Sequence, residues 1–163
     1  MIRRAEERDI NRLMEIYNEA VLHTTATFDT EVKDYADRLE WFQAHQDPHI
    51  IMVSETDGQV SGYASLSRYR ERKAFDTTVE ISVYVDPAYQ RQHIGSSLVE
   101  SVLAYARECS EIHTVISLIT GENQASIQLH EAYGFQYCGQ IRHAGTKFGK
   151  TLDLNIYEII KES

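Results

Sequence analysis

Four stretches of the chain place apolar residues three or four positions apart, the spacing of a helix with one buried side. These predicted helices cover residues 9–21, 35–42, 94–107 and 123–133. Asp9 is a candidate N-cap for the first helix, and Pro48 prevents the second from continuing. Gly134 is placed to end the fourth helix in a left-handed conformation.

Seven other stretches show the short apolar runs or the alternation of strands. They cover residues 2–5, 50–55, 60–69, 77–86, 113–120, 135–143 and 152–160. Asp57-Gly58 favours a tight hairpin turn between the second and third. The strand at 113–120 is nearly all apolar, as expected for a strand covered on both faces. We therefore expect a single domain over residues 1–163, with helices flanking one central sheet.

The strand at 77–86 leads into a loop with an unusual combination of residues. Side chains alternate along a strand, so its polar and apolar residues separate onto two faces. The polar set is Glu80, Ser82 and Tyr84, and the apolar set, expected to pack under a helix, is Ile81, Val83 and Val85. Pro87 ends the strand. A helix then starts at Ile94-Gly95-Ser96, where free N–H groups, a glycine and the nearby Arg91 predict a phosphate cradle.

The composition excludes several classes of protein. With 42% apolar residues in 163, the chain is long enough to bury a core. Sixteen Lys and Arg against 25 Asp and Glu give a net charge of −9, which disfavours nucleic acid and anionic membranes as partners. No apolar run is long enough to cross a bilayer, and the N-terminus does not read as a signal peptide. Cys109 and Cys138 show no metal-ligand spacing, and the seven histidines show no paired spacing that would indicate a metal site. Two cysteines far apart are expected to stay as free thiols, which suggests a reducing, cytoplasmic location.

Three motifs together carry a family resemblance that covers nearly the whole chain. The loop 90–95, Gln-Arg-Gln-His-Ile-Gly, resembles the acetyl-CoA motif Gln/Arg-x-x-Gly-x-Gly/Ala of the GCN5-related N-acetyltransferases, with His93 in place of the first glycine. The segments 129–135, Leu-His-Glu-Ala-Tyr-Gly-Phe, and 145–153, Gly-Thr-Lys-Phe-Gly-Lys-Thr-Leu-Asp, resemble the phosphinothricin N-acetyltransferase branch. The resemblance implies the mixed, mostly antiparallel sheet of that superfamily, acetyl-CoA as co-substrate and no metal.

The resemblance also implies which residues contact acetyl-CoA. Backbone N–H groups on a splayed strand would meet the thioester, the loop and helix start would hold the pyrophosphate, and Asn123 and its helix would add contacts. The residues concerned are Val83, Tyr84, Val85, Arg91, Gln92, His93, Ile94, Gly95, Ser96, Asn123 and Ser126. His93 could donate to a phosphate through its ring or could contribute only its backbone N–H, and Asn123 could be only a helix cap.

Two side chains are candidates for acid–base catalysis. Glu80 is the predicted base that deprotonates the amine, because it stands among apolar residues whose burial would raise its pKa. The alternative is a carboxylate paired with an arginine. Helical spacing puts His130 on one face with Asn123 and opposite the apolar face, which includes Ala125 and Ala132. We predict that His130 assists departure of the CoA thiolate; the alternative is a solvated surface histidine.

The acceptor amine is predicted to lie beside a basic run at residues 68–73. Its charges lead straight into the Glu80 strand, although such runs are often only solvated. The predicted acceptor-binding residues are Phe28, Arg72, Lys73, Ala74, Phe75 and Glu80. The resemblance implies a homodimer that acetylates the α-amine of a small anionic amino acid such as phosphinothricin, methionine sulfoximine or methionine sulfone. The alternatives are a protein N-terminal or lysine acetyltransferase and a non-catalytic acyl-CoA sensor.

Overall fold

A computed structural model describes residues 1–162 as a seven-stranded sheet in the order β1-β2-β3-β4-β5-β7-β6. The strands are β1 Ile2–Arg4, β2 Ile50–Thr56, β3 Gln59–Arg68, β4 Thr78–Val85, β5 Thr114–Thr120, β6 Gln136–Lys147 and β7 Lys150–Ile160. The four α-helices are α1 Ile10–His23, α2 Tyr35–Gln43, α3 Ile94–Glu108 and α4 Gln124–Ala132. β4 and β5 pair in parallel, and the other neighbouring strands of this described sheet pair antiparallel. The mixed, mostly antiparallel sheet predicted from the sequence is confirmed.

Helices cover the two faces of the sheet with separate apolar clusters. α3 packs its buried Leu98 and Val99 against the face that carries Ile81, and Val83 and Val85 lie at the edge of this cluster. α1 and α2 cover the other face through a cluster that includes Tyr63 and reaches Tyr84. The two faces predicted for β4 are therefore correct.

The turns predicted at two glycines are also present. Asp57 and Gly58 both have positive φ, 54° and 78°, as a two-residue hairpin of the primed type requires. Gly134 follows α4 with a φ of 93°, the left-handed conformation expected beyond a helix end.

The sequence predicts two features of the first helix and of β5 incorrectly. The Asp9 carboxylate does not cap α1; it accepts two hydrogen bonds from the guanidinium of Arg3, at 2.8 and 3.0 Å, and one from the N–H of Glu6. β5 is buried on one face only, because α1 packs on β3 and β4 and leaves Ile116 and Leu118 half-exposed. A continuous apolar run therefore does not prove that a strand is covered on both sides.

The faces of α4 also differ from the prediction. Ala125 and Ala132 are exposed, whereas Ile127 and His130 are buried. The helix turns His130 inward, where its ring meets Phe135 edge to face at a centroid distance of 5.0 Å. His130 does share a surface with Asn123, as predicted, but that surface is the wall of a cavity and not open solvent.

Candidate active site

β4 and β5 separate part-way along their length. They pair only from Thr78 to Glu80 on β4, and beyond that point β5 pairs with β7 alone. The N–H of Asp86 donates to the carbonyl of Ser61 on the β3 side, at 2.8 Å. Because backbone groups alternate sides along a strand, the N–H groups of Val83 and Val85 face the gap. The N–H of Tyr84 points to β3. Contrary to the prediction, it is therefore not available to a group bound in the gap.

The first turn of α3 leaves several backbone donors free. The N–H of Ser97 donates to the carbonyl of His93 at 3.1 Å, so the N–H groups of residues 94–96 have no partner within the helix. The preceding residues Arg91 and His93 have positive φ, 66° and 59°, and both side chains are exposed. Free donors at the positive end of a helix macrodipole form an anion-binding position.

The position of Gly95 suits close packing of helices rather than close approach of a phosphate, which was the role predicted for it. A Cβ at Gly95 would lie 3.4 Å from the Leu129 side chain and 3.9 Å from that of Val85. The missing side chain would thus point into the packing between α3, α4 and β4. Gly95 allows close helix packing, and a bulky residue there would disturb the fold as well as the anion site.

His93 occupies a left-handed conformation that glycine adopts without strain. Such a conformation costs roughly 1–2 kcal/mol for a residue with a Cβ, whereas glycine adds entropy to the unfolded chain. We expect His93→Gly to be up to about 1 kcal/mol more stable than His93→Ala, measured by urea denaturation. Binding of CoA by calorimetry then separates the two roles of His93. Equal affinity in wild type and His93→Ala indicates a backbone role, and weaker binding in the alanine variant indicates that the imidazole contacts phosphate.

Two cavities meet at the gap between β4 and β5. An inner cavity of about 230 Å³ contains Glu80 and His130. An outer channel of about 580 Å³ runs past Val85 and Gln90 towards the start of α3. Both are lined by Ala26, Val83, Tyr84 and Asn123. The outer channel thus reaches from the wall of the Glu80 cavity to Gln90, which shortly precedes the first turn of α3.

The inner cavity brings together several of the predicted residues. Phe28, Glu80, Asn123, Ser126 and His130 all line it. Asn123 caps α4, since its side chain accepts a hydrogen bond from the N–H of Ser126 at 3.2 Å. Thr27, Ser117 and Thr120 also line the cavity and were not predicted. Two of them, Ser117 and Thr120, are polar residues in a mostly apolar strand. That interruption of the apolar run could have indicated that they line a cavity.

Glu80 is a half-buried carboxylate without a paired cation. It lies opposite Ser67 on β3 and Ile116 on β5, at the point where β4 and β5 part. It accepts no side-chain hydrogen bond and forms no ion pair within residues 1–162. Burial raises the pKa of Glu80, and the positive charge of Arg70 partly offsets this effect. The alternative of an arginine-paired carboxylate is therefore wrong for this described part of the chain.

His130 is a buried neutral imidazole. Its Nδ1–H donates to the carbonyl of Ser126 at 2.7 Å, which leaves Nε2 with a lone pair. Nε2 is buried and has no hydrogen-bond partner among residues 1–162. Burial lowers the pKa of His130, and the bond to Ser126 partly offsets this. The alternative of a solvated surface histidine is therefore wrong. The role of His130 as an acid towards the CoA thiolate stays a prediction, and burial opposes it because burial disfavours the protonated ring.

The basic run lies outside the inner cavity. Lys73–Phe75 forms an exposed 3₁₀ turn after β3, and neither Arg72, Lys73, Ala74 nor Phe75 lines the Glu80 cavity. A separate recess of about 400 Å³ is formed by Tyr69, Arg70, Glu71, Arg72 and Phe75.

Arg70 is the cation of the run that affects Glu80. Its guanidinium lies 4.3 Å from the centre of the Tyr69 ring, and its charge is the one that influences the pKa of Glu80. One feature of the sequence could have indicated that Arg70 lies near Glu80. Arg70 shortly follows Ser67, and Ser67, near the end of β3, pairs with Glu80.

Residues 1–162 contain neither a group of side chains suited to a metal ion nor a helix that could cross a membrane. No three His, Cys, Asp or Glu side chains in this range are grouped as a metal site requires. Within the same range, no helix combines the length and the apolar character needed to cross a membrane.

Comparison with known proteins links these features to a family. Residues 10–135 match the Acetyltransferase (GNAT) family. The chain is 40% identical to the L-methionine sulfoximine/L-methionine sulfone acetyltransferase of Salmonella typhimurium, over 97% of this chain and 92% of that protein.

Two solved structures show the same fold over almost the whole chain. A phosphinothricin acetyltransferase from Sinorhizobium meliloti in complex with acetyl-CoA superposes with a TM-score of 0.94 at 29% identity, covering 99% of this chain and 88% of the other. A ribosomal-protein-alanine N-acetyltransferase from Brucella melitensis superposes with a TM-score of 0.93 at 37% identity, covering 98% and 99%.

Proposed function

Because the chain belongs to the GNAT family of acetyltransferases, we propose that it transfers the acetyl group of acetyl-CoA to the α-amine of a small anionic amino acid. The acceptors that fit are methionine sulfoximine, methionine sulfone and phosphinothricin, which are the substrates named for two of its relatives. The observation that carries the proposal is the unpaired, half-buried Glu80 in a cavity of about 230 Å³ at the β4–β5 gap.

The residues of the gap and of α3 fit acetyl-CoA. The free N–H groups of residues 94–96 would hold its pyrophosphate, and the N–H groups of Val83 and Val85 are available to the thioester. Acetyl-CoA supplies the activated acetyl group. The protein's part is to hold it at the gap, next to the inner cavity.

Glu80 accepts the proton that the acceptor must lose before it can attack. An ammonium has no lone pair, so deprotonation precedes acetyl transfer. The raised pKa of Glu80 makes it a stronger base than an exposed carboxylate. Arg70, whose charge acts on Glu80 from outside the cavity, would provide a positive charge for the carboxylate of the acceptor.

His130 contributes a lone pair in the resting protein. Nε2 is unpartnered within residues 1–162 and is able to accept a hydrogen bond from a bound group, because Nδ1 carries the ring proton and donates it to the carbonyl of Ser126. Protonation of Nε2 during turnover would make it a donor to the departing thiolate. A thiolate is a tolerable leaving group, so we assign His130 a smaller contribution than Glu80.

Acetylation of protein N-termini is the second candidate function. The similarity to the ribosomal-protein-alanine enzyme favours it. The volume of the inner cavity favours a free amino acid, because about 230 Å³ has little room for a peptide beyond its first residue.

Release of free CoA from acetyl-CoA, measured with a thiol reagent, decides between these functions. The panel contains methionine sulfone, methionine sulfoximine, phosphinothricin, their N-methylated forms as controls and a peptide with an N-terminal alanine. We expect turnover with the free amino acids and not with the N-methylated controls. Faster turnover of the peptide would support the second function, and binding of CoA without turnover of any amine would indicate a sensor.

We further propose that two copies of the chain associate through the face of β5, β7 and β6 that no helix of residues 1–162 covers. The apolar residues of this face that lie outside the inner cavity are Ile116, Ile141 and Ile156, which are half-buried or exposed. We expect a dimer by sedimentation, weakened by Ile141→Glu because a charge there would be buried. A wild-type monomer at all concentrations tested would contradict it.

The remaining properties are proposed from composition and chemistry. Cys109 and Cys138 are both free and Cys138 is exposed, which supports a reducing cytoplasm. The net charge of −9 supports a small-molecule substrate rather than nucleic acid or a membrane. Acetylation would neutralise the amine of a toxic amino acid, so a role in detoxification is consistent with the proposed reaction. Growth of a deletion strain on methionine sulfoximine, unchanged from wild type, would count against it.

A further inference from the structure

The wall of the inner cavity that carries Phe28 has no regular secondary structure of its own. Phe28 lies between the end of α1 at His23 and the start of α2 at Tyr35. Together with Ala26 and Thr27, it lines the inner cavity. Its position must therefore come from contacts with other parts of the fold.

Three hydrogen bonds join residues 25–27 to parts of the chain that follow them by more than ninety positions. The hydroxyl of Thr120 donates to the carbonyl of Thr25 at 2.6 Å. The hydroxyl of Thr25 donates to the carboxylate of Glu122 at 2.6 Å. Lys147 at the end of β6, only 3% exposed, donates from Nζ to the carbonyl of Thr27 at 2.9 Å. Residues 25–27, on the N-terminal side of Phe28, are thus fixed to β5, to the turn between β5 and α4, and to β6.

Gly145 on β6 lies directly behind the Phe28 ring. A Cβ built on Gly145 would lie 3.3 Å from both Cδ2 and Cε2 of Phe28. That distance is tighter than ordinary van der Waals contact, so the ring would have to move by a few tenths of an ångström. Gly145 itself does not line the cavity, whereas Phe28 does. A side chain at position 145 would therefore displace the ring towards the cavity.

We propose that Gly145 determines the largest acceptor side chain that the inner cavity admits, by acting through Phe28. Gly145 is a positioning residue, because it contacts the ring and not the acceptor. The absence of a side chain keeps the ring back, and the hydrogen bonds to Thr25 and Thr27 prevent the segment from moving away as a whole. The inference deepens the proposed function and rests on it for the identity of the acceptor.

The test compares Gly145→Ala with Gly139→Ala. Both glycines lie on β6 without positive φ, but a Cβ at Gly139 would meet no atom of the chain within 4 Å. After a check that both variants sediment like wild type, kcat and KM are measured for amino acids of decreasing length, from methionine sulfone to alanine. We expect Gly145→Ala to lower kcat/KM for methionine sulfone about tenfold, since one methylene in a pocket is worth roughly 10–200-fold. Values for the shortest acceptor that wild type uses, and KM for acetyl-CoA, should stay unchanged.

A second variant and a spectroscopic reading complete the test. Phe28→Leu should restore use of methionine sulfone when combined with Gly145→Ala, because the smaller side chain leaves room. The ¹³C-methyl signals of Leu118 and Leu154, which line the same cavity, should shift in Gly145→Ala and not in Gly139→Ala. These signals need no turnover, so they test the inference even if the acceptor belongs to another class of amine. Equal losses for all acceptors, no rescue or unchanged methyl signals would each overturn it.

Discussion

Glu80→Gln is expected to lower kcat by about 10²–10⁴-fold, the usual contribution of a general base. The amide keeps the size of the side chain but cannot take a proton from the ammonium. Glu80 accepts no hydrogen bond within residues 1–162, so the substitution removes no structural contact there. Binding of acetyl-CoA should be nearly unchanged, because the cradle at residues 94–96 lies on another element.

Steady-state rates at saturating acetyl-CoA and calorimetry with CoA check this result. Glu111→Gln is the matched control, because it makes the same chemical change at an exposed position. A Glu80→Gln variant with wild-type kcat would show that Glu80 is not the base. A parallel loss of CoA affinity would show that the substitution acts through the fold.

Arg70→Ala is expected to raise the KM for methionine sulfone about tenfold while leaving the KM for acetyl-CoA unchanged. A charge-assisted hydrogen bond contributes roughly 1.5–3 kcal/mol, and exposure of Arg70 places it at the lower end. About 1.4 kcal/mol corresponds to a factor of ten. Removal of the charge should also raise the pKa of Glu80 further, because Arg70 is the group that lowers it.

Arg72→Ala separates a specific contact from a general effect of charge. Arg72 belongs to the same basic run, is exposed like Arg70 and lines the same recess, but Arg70 is the residue of the run whose charge acts on Glu80. Steady-state kinetics with both substrates should give nearly wild-type values for Arg72→Ala. If both variants raise the KM for methionine sulfone equally, the charge of the whole run attracts the acceptor. The proposed specific contact between Arg70 and the acceptor carboxylate would then be wrong.

The sequence predicts the fold well because the signals that define it are local. Asp57-Gly58 gives the hairpin, Gly134 ends α4, and alternation separates Glu80 from Ile81 on β4. These features depend on neighbours within a few residues. The fold class and the family therefore follow from one pass along the chain.

The sequence predicts the site less completely because its contacts join distant segments. Nothing near Phe28 indicates that Gly145 packs behind it, more than a hundred positions away. Arg70 could not be distinguished from Arg72 by composition, since only the folded chain determines which of the two charges acts on Glu80. The shared surface of His130 and Asn123 was predictable from helical spacing, but the burial of His130 was not, because periodicity alone does not distinguish a buried imidazole from an exposed one.

The pH dependence of kcat at saturating acetyl-CoA and methionine sulfone, for wild type and Glu80→Gln, tests the central claim most directly. A carboxylate base works only when ionised, and the pKa of Glu80 is raised. Wild-type turnover should therefore fall as the pH drops through that raised pKa. In Glu80→Gln this limb should disappear, and the residual rate should rise with pH as the amine loses its proton in solution. The same acidic limb in both proteins, at similar turnover, would contradict the assignment of Glu80 as the base.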